Sequence, residues 1–194
     1  MKLAFACPTD LLTELEARHG EPQRHYHTWR HVLACFAARD ALGAPPSAAV
    51  DLAILFHDSV YEPLAHDSEE RSAALLSEKA REHGLDAVAV ARALPIIAAT
   101  KHGDASVEDP ETAVMLDADL SILGSDAATF ATYETNVRKE YSAVDDAAWT
   151  AGRERILRMF LERPVLYATA RGRALWDAPA RANLAASIRA LTPG

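Results

Sequence analysis

The sequence predicts an all-α fold. Alanine, the strongest helix former, is abundant. The alternation of β-branched and polar residues that marks a half-buried strand is scarce. The prolines and glycines fall mostly between helical patterns rather than inside them. No internal repeat and no low-complexity linker interrupts the pattern. With 194 residues, a single domain over 1–194 is expected, holding about nine helices.

The helices read in chain order. TDLLTELEARHG has Thr9 or Asp10 as N-cap and Gly20 as stop. HTWRHVLACFAARDALG is a second helix, ending at Gly43. PSAAVDLAILFHDSV is a third, starting after Pro45 and Pro46. DSEERSAALLSEKAREHG places Asp67 as cap, Glu70 three residues on as in a capping box, and Gly84 as stop. DAVAVARALPIIAATKHG contains Pro95, which predicts a kink. DPETAVMLDADLSILG has Asp109 as cap and Pro110 at the first helical position, and it ends at Gly124. DAATFATYETNVRKEYS, DDAAWTAGRERILRMFLER and APARANLAASIRAL complete the set.

Composition narrows the function. About half of the chain is apolar, enough for a real core, and the net charge is -8. An acidic balance of that size argues against a broad nucleic-acid footprint and against anionic membranes, while leaving room for a locally positive pocket. Cys7 and Cys35 form no spaced framework and read as reduced thiols of a cytoplasmic protein. The apolar stretch before Pro8 is too short for a signal peptide, and no run approaches a membrane span.

Groups suited to a metal are spread along the chain. HYHTWRH supplies His25, His27 and His31; FHD supplies His57 and Asp58; TKHGD supplies His102 and Asp104; LDADL supplies Asp117 and Asp119. His27 and His31 are four apart and share a face if both are helical. Imidazole and carboxylate together suit a divalent transition metal: Mn, Fe, Co, Ni or Zn. His57 and Asp58 point about 100° apart on a helix, so one ion reaches both only between those directions. Further ligands must come from other helices, and His31 and Asp119 are candidates. The structural alternative makes His57 a satisfied core histidine and Asp58 a helix-end cap.

The motifs HYHTWRHV, FHDSVYEP, EERSA, ATKH, LDADLSILG, VRKEY and GRERIL occur in that order. As a set they resemble the bacterial predicted metal-dependent HD phosphohydrolases, within the HD-domain superfamily. The resemblance spans roughly residues 22 to 184. It implies a helical domain and a metal held by His31, His57, Asp58 and Asp119. Asp119 lies in the Ala-Asp context usual for the superfamily's last aspartate, and Asp117 is the competing choice. Ser68 stands where family members often carry Asn. A second ion, as some superfamily members hold, would recruit His102; otherwise His102 caps its helix C-terminus.

The reaction so implied is hydrolysis of a small phosphoester, a nucleotide among the candidates, by metal-activated water. Asp58 would also orient that water, with Glu62 or Glu69 as general base or acid; Glu69 serves equally well as a first-turn carboxylate at a helix N-terminus. Among Arg24, Arg30, Lys101, Arg138 and Arg153, Arg24 and Lys101 adjoin histidine clusters. They are the first candidates to hold the phosphoryl group, with His27. Tyr26 and Tyr61 are expected to line the pocket. Ile156, Leu157, Phe160 and Leu161 recur at helical spacing, as a core stripe or a dimer face. Two rivals stand beside this reading. One is a nucleotide- or ligand-binding module without turnover. The other is a di-iron oxygenase on the same scaffold, which needs His102 or another histidine as a ligand.

Overall fold

A computed structural model describes residues 1–103 and 107–191. Nine α-helices of nine residues or more run among the described residues: α1 (Thr9–Arg18), α2 (Trp29–Leu42), α3 (Ala48–Phe56), α4 (Ser68–His83), α5 (Ala87–Ala99), α6 (Pro110–Asp119), α7 (Ala127–Glu140), α8 (Asp146–Glu162) and α9 (Ala178–Leu191). A 3-10 turn (Leu120–Gly124) extends α6. A π segment (Arg173–Asp177) leads into α9. No strand occurs among the described residues.

Local capping chemistry sets most boundaries. Asp86, Asp109, Asp126 and Asp145 each accept a backbone N–H of the helix they open. Ser47 does the same for α3. Gly43 and Gly84 close α2 and α4 in the left-handed region, at φ 69° and 63°, where a Cβ is strained. Two expected caps differ. Pro8, not Thr9 or Asp10, precedes α1. Asp67 makes no side-chain cap bond, and the capping box is not formed; Glu70 instead pairs with Lys101.

The mean hydropathy of AAVDLAILF explains the centre of the fold. Every residue of α3 from Ala49 to Phe56 is buried, as expected for a helix apolar on all faces. It packs among α2, α4, α5 and α6. Leu52, Ile54, Leu55 and Phe56 are all at most 1 % exposed, and each contributes about 1.5–3 kcal/mol by burial. The one acidic residue in this helix, Asp51, is paired with Arg39 and accepts the Ala4 N–H, which ties the N-terminal segment to the core.

A second apolar cluster lies beyond Asp119. Leu120, Leu123, Phe130, Leu157, Phe160, Tyr167 and Leu184 form it, and Trp176 packs against both clusters. The stripe Ile156, Leu157, Phe160 and Leu161 belongs to this core. Gly124 is required where the 3-10 turn meets the π segment: a Cβ there would stand 2.5 Å from Trp176 Cβ. The two clusters meet on either side of Asp119. The C-terminal end of α3 and the C-terminal end of α6 are thereby brought to one place.

No helix among the described residues is long and apolar enough to cross a membrane.

Candidate metal centre

Three helices deliver the donors. His31 stands in the first turn of α2, His57 is the C-terminal cap residue of α3, and Asp119 is the last residue of α6. Asp58 lies one residue past His57, beyond the end of α3. Leaving the helix there frees the carboxylate from the direction a helical residue would impose.

The side-chain atoms converge. His31 Nε2 lies 3.0 Å from His57 Nε2, 3.1 Å from Asp119 Oδ1 and 3.4 Å from Asp58 Oδ2. His57 Nε2 lies 3.1 Å from Asp58 Oδ2 and 3.7 Å from Asp119 Oδ1. Donors bonded to one ion at about 2.0–2.2 Å stand roughly 2.8–3.6 Å apart for right-angle to tetrahedral geometry. Four of these five separations fall within that range, and the fifth lies at its edge. The same spacing accommodates hydrogen bonds in the metal-free chain.

The histidine orientation also fits a ligand. The Nδ1–H of His57 donates to the Ile54 carbonyl at 3.0 Å, which turns Nε2 toward the cluster. A backbone carbonyl on the far ring nitrogen is the usual partner of a metal-ligating histidine. His31, Cys35, His57 and Asp119 form a group of metal-binding donors all within 4.8 Å of one another. The Cys35 sulfur stands 3.6 Å and 3.8 Å from the two ring nitrogens of His31, beside the ring rather than in line with Nε2.

In the metal-free chain the cluster is a buried charge network. Burial works against every charged form here, and mutual attraction outweighs it. The neighbouring His57 and His27 hold Asp58 well below the usual carboxylate range. Contacts with His102, His31 and His57 do the same for Asp119. The Asp58 and Asp119 carboxylates hold His57 well above the ordinary imidazole range, against burial. A bound cation would take the place of these protons. The two imidazoles form the closed floor, at 2 % and 1 % side-chain exposure, while Asp58 and Asp119 are open at 18 % and 15 %.

Asp117 does not enter this cluster. Two residues before Asp119, it points elsewhere and accepts from the Ala168 and Thr169 backbone N–H groups and the Thr169 hydroxyl. Burial pushes its carboxyl up, partly offset by Thr169. Gly172 packs so close to Asp117 that a Cβ would collide with the carboxylate. Asp117 therefore anchors the segment after α8. Replacing it by Ala is expected to keep the metal and to cost about 2–4 kcal/mol through three donors left unpaired. Asp119→Asn is expected to lose metal, and its melting, compared with that of the metal-free wild type, to change less. Metal content and thermal unfolding of both variants test the pair.

His102 reaches the site from the end of α5. Its Nε2 lies 2.7 Å from Asp119 Oδ2, the carboxylate oxygen turned away from the His31 contact. It is the only non-glycine residue with positive φ among the described residues, at 53°, a conformation that is uncommon outside glycine. The ring thus addresses Asp119 rather than the end of α5.

His27 differs from the helical expectation. α2 begins at Trp29, so His27 lies in the preceding loop. Its Nδ1–H donates to Glu140 Oε2 at 2.7 Å. Glu140 Oε1 accepts the backbone N–H groups of His25, Tyr26 and His27 at 2.7–3.0 Å, and Oε2 also accepts the Tyr61 hydroxyl at 2.9 Å. Burial alone would raise this carboxyl; the His27 ring and the backbone donors outweigh it and hold it at about 2. Glu140 binds the loop before His31 to the loop after Asp58. The sequence offers one signal for it, its place in VRKEY, and assigns it no role.

Arg24 also serves the loops. Its guanidinium is buried and donates to the carbonyls of His27, Asp58 and Ser59 and to Glu21. That places it behind the Asp58 backbone, with its donors committed to the protein.

A cavity of about 680 Å³ opens onto the cluster, lined by His57, Asp58, His102 and Asp119 at its floor. His27, Glu62, Glu69 and Lys101 also line it. Glu62 is exposed and pairs with Arg71 at 3.2 Å. Glu69 lies 3.9 Å from Lys101, and Lys101 donates to the His66 carbonyl. Arg153 is paired with Glu134 and donates to the Tyr133 hydroxyl. Arg138 donates to the Tyr141 and Val144 carbonyls and to Asp146. Arg30 is exposed and is not among the lining residues, nor is His25. Asp104 lies outside the described residues. His19, at the C-terminal end of α1, is buried and is pushed down to about 4 by burial.

Comparison with protein-family models, with curated proteins and with solved structures finds no match for this chain.

Proposed function

We propose that this chain is a metal-dependent phosphohydrolase acting on a small phosphoester. One observation carries the reading: two buried imidazoles and two part-exposed carboxylates converge at the floor of an open cavity. The HD-type order of His31, His57-Asp58 and Asp119 in the sequence agrees with it. The donor set of nitrogen and oxygen suits a divalent transition metal.

When bound, such a metal supplies a water of lowered pKa and charge neutralisation for phosphoryl oxygens. The protein groups have separate tasks. His31 and His57 fix the floor, His57 through its bond to the Ile54 carbonyl. Asp58 and Asp119 present oxygens toward the cavity. Glu69, at the start of α4 and on the cavity wall, takes a proton from water or returns one to the leaving alcohol. Glu62 is the more exposed candidate for that task, at 67 % side-chain exposure against 27 % for Glu69. The His27 ring, fixed by Glu140, borders the space for the phosphoryl group.

A second reading rests on Asp119, whose two oxygens are divided between His31 and His102. That division fits a carboxylate shared by two ions. A two-ion centre would also admit oxygenase chemistry with iron.

Metal analysis by mass spectrometry and a phosphoester screen test the proposal together. The expected result is about one or two equivalents of transition metal per chain. Phosphate release should stop with a chelator and return on re-addition of metal. A chain that stays metal-free after loading would overturn it, as would phosphate release indifferent to chelation. Iron-dependent visible absorption with oxygen uptake, and no phosphate release, would favour the second reading.

A further inference from the structure

The cavity above the metal cluster is far larger than a phosphoryl group and falls within the volume of a drug-sized ligand site. Its walls are unusual for this chain. Four of the five tyrosines, Tyr26, Tyr61, Tyr133 and Tyr141, and one of the three tryptophans, Trp149, line this one cavity.

The rings are held by their own contacts. The Tyr61 hydroxyl is fixed by Glu140 and its ring stacks on His27 at 4.1 Å. The Tyr133 hydroxyl accepts from Arg153 at 2.8 Å, and its ring meets Tyr26 edge-on at 4.5 Å. Tyr141 and Trp149 lie 5.5 Å apart at the junction of α7 and α8. The Arg24 guanidinium stands 5.4 Å from the Tyr61 ring centroid and that of Arg138 5.3 Å from the Trp149 ring centroid, so part of each ring is already covered; the oriented faces left toward the cavity hold a flat partner at little entropic cost.

Cations are few. Of the three lysine and arginine side chains in the lining, Lys101 is paired with Glu70 and Arg153 with Glu134. Arg155 makes no hydrogen bond or ion pair among the described residues and lines the same cavity. Arg155 lies within GRERIL, two residues after Arg153. One uncommitted arginine and one metal cluster suit a single phosphoryl group. An oligophosphate, with three or four negative charges, would need more positive partners than these walls offer.

We propose that the cavity takes a phosphomonoester whose alcohol carries a flat, uncharged ring, the ring lying against Tyr61, Tyr141 and Trp149. This rests on the hydrolase reading for its chemistry, but not for its binding geometry. A nucleobase and a simple aryl group share that flat-ring chemistry, and the experiment separates them.

The metal-loaded protein is assayed on 1-naphthyl phosphate, a nucleoside 5′-monophosphate, the matching triphosphate and glycerol phosphate. Ring stacking is worth about tenfold to a hundredfold in affinity. At least one ring-bearing monoester should therefore exceed glycerol phosphate in kcat/KM by about that factor, chiefly through KM. Which of the two does so identifies the kind of ring. Trp149→Ala should collapse the ratio between ring-bearing and ring-free esters, and Trp149→Phe should keep most of it. A ratio near one, or a preference for the triphosphate, would overturn the proposal.

If no ester is cut, the hydrolase reading fails and binding decides this one. Calorimetry compares phenylphosphonate with methylphosphonate. Tryptophan fluorescence is read beside Trp149→Phe to isolate the Trp149 signal. Preferential binding of phenylphosphonate with a Trp149-dependent change upholds the ring site. Equal binding, or none, overturns it.

Discussion

On the proposed metal-dependent reading, exchange of His57 for alanine is expected to abolish transition-metal binding and to lower the proposed phosphoester hydrolysis by about a thousandfold or more. The magnitude follows from the several kcal/mol of charge stabilisation that a catalytic metal supplies. His57 sits between the other donors: its Nε2 is 3.0 Å from that of His31 and 3.1 Å from Asp58. Its removal leaves a hole where both carboxylates found their partner. The metal-free variant should still fold, because α3 is anchored by Leu52, Ile54, Leu55 and Phe56 rather than by His57. Its melting temperature should differ from that of the metal-free wild type by far less than from that of the metal-loaded wild type, whose stability includes the binding energy. Metal analysis, circular dichroism and phosphate release on the same preparation check all three statements. Full metal retention with normal folding would show that His57 is a core histidine.

The parts of this centre differ in how they are written into the sequence. The helices are legible because their signals are local. Asp86, Asp109, Asp126 and Asp145 cap the residues directly after them, and AAVDLAILF announces a buried helix by itself. His31, His57, Asp58 and Asp119 stand out by residue type and order. The choice between Asp117 and Asp119 was not legible. It depends on which side of α6 faces the segment around Thr169, some fifty residues away. The spacing of His27 to His31 fits a helical turn, yet the loop is held open by Glu140, 113 residues distant. Arg24 looks like a phosphate ligand beside a histidine cluster, but its donors are spent on loop carbonyls. Cys35, Tyr133 and Trp149 carry no motif of their own, and Arg155, though within GRERIL, has no signal that sets it apart from Arg153; only packing brings them to the cavity or the cluster.

Glu140 concentrates that long-range information in one carboxylate, and its replacement has the second large expected effect. Glu140→Gln keeps the shape and removes the charge. The amide has one acceptor oxygen, so it cannot serve the three backbone donors of residues 25–27 together with His27 and Tyr61. Breaking one partner out of such a buried charged network costs about 3–5 kcal/mol, or roughly 10 °C in melting temperature for a chain of this size. The electrostatics of the Glu140 carboxyl lead to a consistent figure. The carboxyl is held at about 2, below its ordinary value of 4.5, which corresponds to about 3 kcal/mol at neutral pH. The sign is fixed by the direction of the shift. A depressed carboxyl stabilises the fold fully above its unfolded value, and the gain is lost as pH falls from about 4.5 toward 2. Asp58 and Asp119 are depressed as well, so wild type loses stability in acid for several reasons. The difference between wild type and Glu140→Gln isolates the one group. It should be largest near neutral pH and shrink steadily below pH 4.5. A difference that stays constant down to pH 2 would mean that Glu140 acts by shape alone. The functional consequence separates Glu140 from the metal donors. The variant should still bind metal, because none of its lost contacts is to His31, His57, Asp58 or Asp119. Its loss of activity should appear in kcat/KM through a loosened His27–Tyr61 wall. Loss of metal in a folded Glu140→Gln protein would instead make this carboxylate part of the metal centre's own support.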